Sequence, residues 1–166
     1  MPAGPTYEPI ATTTLGSNTA TITFSSISGS YTDLVLVSAN GNAANSDNDI
    51  YIRFNSDSGS NYSRTQMLGN GTTASSGRSS NNTEIRIGPS YNNTVTSTLI
   101  SHIMNYSNTT TNKTVVSRSG HASGYTLIQA ALWRNTSAIT SITLTLQNSQ
   151  SFVTGSTFTL YGIASA

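Results

Sequence analysis

The feature that most restricts the fold of this chain is a period-two alternation of apolar and hydroxyl-bearing residues that returns along most of its length. "TATITF" sets Ala20, Ile22 and Phe24 on one side and Thr19, Thr21 and Thr23 on the other, the pattern of a strand with one buried face. "DIYIRFN" places Ile50, Ile52 and Phe54 opposite Tyr51, Arg53 and Asn55 in the same way. The closing "STFTLYGI" alternates again. An unpaired apolar strand left at a terminus is an aggregation hazard, so this segment predicts a last strand held inside a sheet.

Between these lie further strand-like stretches. "YTDLVLVSA" is continuously apolar from Leu34 to Val37, as expected where both faces of a strand are covered. Residues 62–68, "TEIRIG", "KTVVSRS", "YTLIQAALW" and "AITSITLTLQ" follow at the spacing of an all-β sandwich or barrel. "TVTSTLISHIMNYS" is long enough to predict a bend or bulge near its middle. "LIQAALW" tolerates a helix but has no capping box, and its neighbours are strand-like, so a strand is expected. The sum is nine or ten strands.

Two stretches read as polar loops: "NGNAANSDN", pure turn chemistry, and "GNGTTASSGRSSNN", which has three glycines and no apolar period. The first fifteen residues, "MPAGPTYEPIATTTL", hold three of the four prolines and read as an extended N-terminal arm. The expected organisation is therefore an arm over residues 1–15 and one domain over residues 16–166. Its fold class is all-β, two packed antiparallel sheets forming a jelly roll or a related sandwich. Phe24, Leu34, Leu36, Ile52, Phe54, Leu144, Leu146, Phe158 and Leu160 lie on the apolar faces of the clearest strands and form the expected core.

Composition narrows the functions open to such a fold. Ser, Thr and Asn make up roughly two-fifths of the chain, while charged residues are 8%, against about 25% in an average soluble protein. The surface must be coated with hydroxyls and amides. A net charge of +1, with the cations spread along the chain, provides no basic stripe for nucleic acid. No apolar run approaches the length of a membrane span, and the first residues have neither the positive start nor the apolar stretch of a signal peptide, so assembly in a cytoplasm is expected. The absence of cysteine excludes disulfides and thiolate metal sites. A core-poor domain without either is expected to bury further apolar area against copies of itself.

No catalytic or cofactor constellation emerges. His102 and His121 are the only histidines; the first reads as an ordinary strand residue and the second as a loop residue, and "GHASG" has the wrong spacing for a nucleophile elbow. Asp47-Asn48-Asp49 resembles part of a calcium loop but lacks its later glycine and bidentate glutamate. Sequons such as those at Asn61, Asn105 and Asn135 are expected by chance in so Ser/Thr-rich a chain. Neither an enzyme nor a bound cofactor or metal is expected.

"TYEPIATTTLGS", "ATITFSSI", "YTDLVLV", "IRFNSDSGSNYS" and the closing "GSTFTLYGI" together resemble the small Ser/Thr-rich virion proteins of tailed bacteriophages, over residues 7–163. The resemblance implies a virion protein assembled in the bacterial host cytoplasm, in the first instance a capsid decoration (cement) protein. Such a protein sits on the outer face of the head as a homotrimer and bridges the major capsid protein or other virion proteins. In that role the arm residues Pro5, Tyr7, Pro9, Ile10 and Leu15 would contact another subunit or the shell, with Tyr7 as anchor. The alternative is a tail or head-fibre receptor-binding module for host surface glycans. It would use Asn42, Asn45, Asp47 and Asp49 from the first loop, and Asn70 and Arg78 from the second, as ligand contacts.

Overall fold

The computed structural model describes residues 6–39, 42–44, 48–90, 96–121, 124 and 126–164. It contains twelve strands and one 3-10 turn, Gln147–Ser149. In chain order the strands are β1 (Tyr7–Thr14), β2 (Thr21–Phe24), β3 (Asp33–Ala39), β4 (Asn48–Phe54), β5 (Tyr62–Gly69), β6 (Ala74–Asn82), β7 (Ile85–Ser90), β8 (Thr98–Met104), β9 (Lys113–Gly120), β10 (Thr126–Trp133), β11 (Ile142–Leu146) and β12 (Thr157–Ile163).

They form two antiparallel sheets packed as a sandwich. One has eight strands in the order β1-β12-β3-β8-β9-β10-β5-β6, the other four in the order β2-β11-β4-β7. With the hairpins β5–β6 and β9–β10 set aside, successive strands switch sheets at every step but one, β4 to β7, which are neighbours in the smaller sheet. β1, β3, β8 and β12 fall in the larger, and β2, β4, β7 and β11 in the smaller. Both hairpins add to the same side of the larger sheet and widen it from four strands to eight.

The closing strand is stitched in as its alternation requires. β12 lies between β1 and β3, with Phe158 and Leu160 buried and Tyr161 and Thr159 facing out. Gly162 faces inward, and the ring of Tyr31 lies where its side chain would be. All nine expected core residues belong to one buried cluster, joined by Tyr62, Trp133, Phe152 and the isoleucines of β7.

Two expectations are corrected by strands that carry little apolar pattern. The stretch read as an exposed polar loop forms β6, hydrogen-bonded to β5 from Gly69↔Ala74 to Tyr62↔Asn82. It is an edge strand, exposed along most of its length, so no buried face imposes an alternation on its sequence. The segment read as an arm forms β1, paired with β12 along its whole length. β8 runs Thr98–Met104 in unbroken register with both β3 and β9, so the expected bulge is absent from the described part of that segment. "YTLIQAALW" is strand, as expected.

The smaller sheet meets the larger by driving its edge strand β7 into it. All six residues of β7 are buried. Gly88 makes the approach possible, because a Cβ there would stand 2.6 Å from Ser119 Oγ. The Gln129 amide donates to the Arg86 carbonyl, which supplies a hydrogen-bond partner to an edge strand enclosed by protein. Around this contact the inner face of the larger sheet is polar, with Ser101 and Ser117 hydroxyls 2.8 Å apart.

A second polar knot ties the β4–β5 turn to the core. Trp133 Nε1 donates to Asp57 Oδ2 at 2.7 Å, with Asn61 Nδ2 at 2.9 Å and the Gly59 N–H on Oδ1 at 2.8 Å. Burial alone would raise the Asp57 pKa, but hydrogen bonds led by those from Trp133 and Asn61 outweigh it and hold the carboxyl below its usual value. Lys113, the one lysine of the chain, is fully buried beside this knot, and its Nζ donates to the carbonyls of Thr111 at 2.7 Å and Thr136 at 3.0 Å.

Two predictions follow from the packing. Leu144→Ala, at a fully buried position paired with Ile22 and Ile52, should cost roughly 2–5 kcal/mol in denaturant unfolding; a near-neutral result would contradict the facing described here. Because the folded Asp57 pKa is depressed, its stabilisation is complete above the unfolded value of about 3.9 and is lost as pH falls through the folded one. Asp57→Asn should therefore flatten the stability profile between about pH 5 and pH 2, and an unchanged acid limb would refute the linkage.

Candidate functional site

The sequence-predicted contacts do not gather into one site. Pro5, Asn45 and Asp47 lie outside the described residues. Tyr7 and Pro9 stand exposed on β1, and Tyr7 packs edge-on against Tyr161 at 6.3 Å between ring centroids. Ile10 packs on the core and Leu15 is buried, with its N–H bonded to the Ser156 carbonyl at 2.9 Å. The described part of the expected extended arm, residues 7–14, is extended but paired with β12, and closes the edge that β12 would otherwise expose. Asn42 is also buried, its Oδ1 accepting from the Ser97 N–H at 3.2 Å. Asn70 shapes the β5–β6 turn, its Oδ1 accepting from Thr72 and Thr73. Asp49 is ion-paired with Arg86 at 2.5 Å. Of the six ligand-loop candidates, Arg78 alone among the described ones is an exposed side chain with no hydrogen bond or ion pair.

Two other surfaces stand out. The first is the outer face of the eight-stranded sheet. Strand register places Tyr161, Val35, His102, Val116, Ala130 and Thr65 in one row across it, and Thr159, Val37, Ile100, Arg118, Ile128 and Met67 in the next. At about 4.8 Å per strand spacing these rows span roughly 24 Å. All five large apolar side chains that are exposed among the described residues lie on this face: Tyr7, Met67, Met104, Val116 and Ile128, with Met67 at 69% and Ile128 at 53% exposure. Tyr7, Ile100, His102, Met104, Val116, Arg118 and Ile128 line a shallow depression of about 440 Å³ in it. Its cations are Arg78 and Arg118. The carboxylate of Asp33, at its margin, is engaged by the Asn105 N–H at 2.7 Å.

The second surface is a cleft of about 780 Å³ beside the four-stranded sheet. Thr21, Thr145 and Tyr51 reach it from one row across that sheet's outer side. Arg64 and the β6–β7 turn, residues 81–84, contribute from the larger sheet, and residues 147–149 complete the wall. Arg53 pairs with Glu84 at 3.1 Å, and Arg86 with Asp49. The Tyr51 hydroxyl is held above its usual pKa, chiefly by burial and then by Asp49.

The two ion pairs beside the cleft, Arg53–Glu84 and Arg86–Asp49, and the unpaired Arg64 include no histidine and no nucleophile beside a base, and among the described residues no group of three His, Asp or Glu is placed to hold a metal ion. Among the described residues, no helix is long and apolar enough to cross a membrane. No family model matches the chain, and no curated protein or solved structure matches it.

Sequence reasoning missed Tyr51, Arg64, Met67, Val116 and Ile128. A signal for the last was present: "TLIQAALW" carries Leu127 and Ile128 in succession, apolar on both faces, as in a strand covered on both sides. Arg64 carries no such mark, because its setting depends on strands far apart in sequence.

Since β1 occupies the free edge of β12, deleting residues 2–15 should expose that edge and produce concentration-dependent aggregation, measured by light scattering. A truncated chain that stays monodisperse and as stable as the parent would show that β1 is dispensable to the fold.

Proposed function

We propose that this protein is a non-enzymatic structural component of a tailed-phage particle, a capsid decoration protein. It assembles as a homotrimer and holds to the major capsid protein, with the outer face of the eight-stranded sheet as its assembly surface. The observation that carries this reading is the concentration of every described exposed large apolar side chain on that one face. Scattered apolar residues are normal on a protein surface, whereas exposed apolar side chains gathered on one face mark an interaction site when the patch exceeds a few hundred Å². The resemblance of the sequence to phage virion proteins supports the particle as the setting. We also read the strand orders β1-β12-β3-β8 and β2-β11-β4-β7 as a jelly roll carrying two inserted hairpins, a form that fits a shell protein.

In this role each copy buries modest area and repetition over the shell supplies the stabilisation. Contacts made only in the mature lattice favour that lattice by mass action. The polar, weakly charged remainder of the surface keeps the free protein from binding nucleic acid.

A second reading, a tail or head-fibre module that recognises host surface glycans, is favoured by one specific observation, the polar cleft around Tyr51 and Arg64. Copy number separates the two. Hundreds of copies per particle support decoration, and a dozen or fewer support a fibre.

Ile128→Asp should leave unfolding within about 0.5 kcal/mol of the parent, as for a surface substitution. It should nonetheless abolish the oligomer in analytical ultracentrifugation and loading onto undecorated heads. An Ile128→Asp protein that assembles and loads normally rejects this face as the assembly surface.

A further inference from the structure

We propose that the cleft beside the four-stranded sheet binds an acidic saccharide, with Arg64 receiving the sugar carboxylate and the Tyr51 ring packing against a sugar face. The proposal rests on the glycan-binding reading for the kind of molecule bound, and on the charge and chemistry of the cleft for its acidity.

Arg64 and Glu84 line the cleft, Asp49 and Arg86 lie near enough to act on the Tyr51 hydroxyl, and Arg53 adjoins through its pair with Glu84. Arg53 is paired with Glu84, and Arg86 with Asp49. Arg86 Nη1 also reaches Gln66 Oε1 at 3.4 Å. Arg64 has no hydrogen bond or ion pair among the described residues, although it is partly buried and lines the cleft. An unmatched, partly desolvated guanidinium is costly to keep, and its planar fork suits a carboxylate bound by two parallel hydrogen bonds. Burial, followed by the like charge of Arg86, lowers the Arg64 pKa. A bound anion would offset both effects by favouring the charged form.

The rest of the lining suits a sugar. Asn82, Gln147 and Asn148 bring carboxamides, each of which offers donors and an acceptor to neighbouring hydroxyls, and Thr21, Thr145 and Ser149 bring hydroxyls. Tyr51 is the one aromatic residue in the lining, half-buried, with a flat apolar surface and a polar tip. The volume lies within the range of small-molecule sites, about 300–1,000 Å³. The wall also holds uncommon backbone. Asn81, Asn148 and Ser149 have φ of 57°, 56° and 55°, a left-handed conformation that non-glycine residues adopt rarely and that gathers at ligand sites. The cleft has no lysine and no long helix N-terminus, so a phosphate would lack the usual cradle.

The test titrates the full chain, followed by NMR and calorimetry, with four probes: a galacturonic acid oligomer, sialyllactose, maltohexaose and inorganic phosphate. The expected result is binding of one or both acidic saccharides that weakens with added salt, with resonances around Tyr51 and Arg64 shifted. Arg64→Gln should lower affinity at least tenfold while the thermal midpoint holds, and Arg78→Gln, on the other face of the larger sheet, should leave it unchanged. Equal binding of maltohexaose, binding of phosphate alone, no binding at all, or full affinity in Arg64→Gln would each overturn the proposal. Tyr51→Ala is the second variant should Arg64→Gln unfold, with the same loss expected and retained affinity counting against the site. Host adsorption separates this from the receptor-binding reading. Acidic-saccharide binding by the purified chain, with normal adsorption of particles carrying Arg64→Gln, would sustain the site and reject the receptor role. Adsorption blocked by antibody to this protein, without saccharide binding in the cleft, would reject the site and sustain the role.

Discussion

The approach of β7 to the inner face of the eight-stranded sheet is the contact on which the arrangement of the molecule depends. A side chain at residue 88 would collide with Ser119, so glycine there lets one sheet edge sink into the other. The descent has consequences on both sides. Gln129 bonds the Arg86 carbonyl, and the Arg86 side chain turns to Asp49 and Gln66. With Arg86 so engaged, Arg64 is left as the cation lining the cleft that has no ion pair.

The unequal widths of the sheets account for the rest. Four strands cannot cover eight, so part of the inner face of the added hairpins is left beyond the smaller sheet and, at Arg64, becomes a wall of the polar cleft. The outer face of the same hairpins carries Met67, Val116 and Ile128 in adjoining rows. One insertion pattern thus carries both an exposed apolar face and a polar cleft wall, on opposite sides of the larger sheet.

The hydroxyl-rich composition has a structural counterpart. Threonines face each other across strands at Thr12 and Thr159, Thr14 and Thr157, and Thr23 and Thr143, with oxygens 3.1, 3.1 and 3.4 Å apart. Such cross-strand pairs each add a fraction of a kcal/mol, roughly 0.2–1, without any charge. Turns are secured likewise by amide oxygens: Asn55 Oδ1 accepts from the N–H groups of Thr140 and Ser141, and Asn108 Oδ1 from those of Thr110 and Thr111. The surface needs few ions because short side chains satisfy the backbone.

The alternation of Ile22, Phe24, Ile52, Phe54, Leu144 and Leu146 was enough to assign strands, facing and core, because the two-residue period is a local property of the pleat and a buried face enforces it. β6 was illegible because an exposed edge strand has no buried face to write a pattern, and β1 was legible as extended chain but not as a paired strand. Pairing was beyond reach altogether: Thr12 meets Thr159 across 147 positions, and no local signal reports such a partner. The candidate site failed for the same reason, since Tyr51, Arg64, Glu84 and Asn148 come from four separate segments. What the residues determined alone was, for each strand with one buried face, which side faces oil and which faces water. Which strands adjoin, which are edges, and which charge is left unmatched were decided only by tertiary structure, because those depend on contacts that form when distant segments share one core.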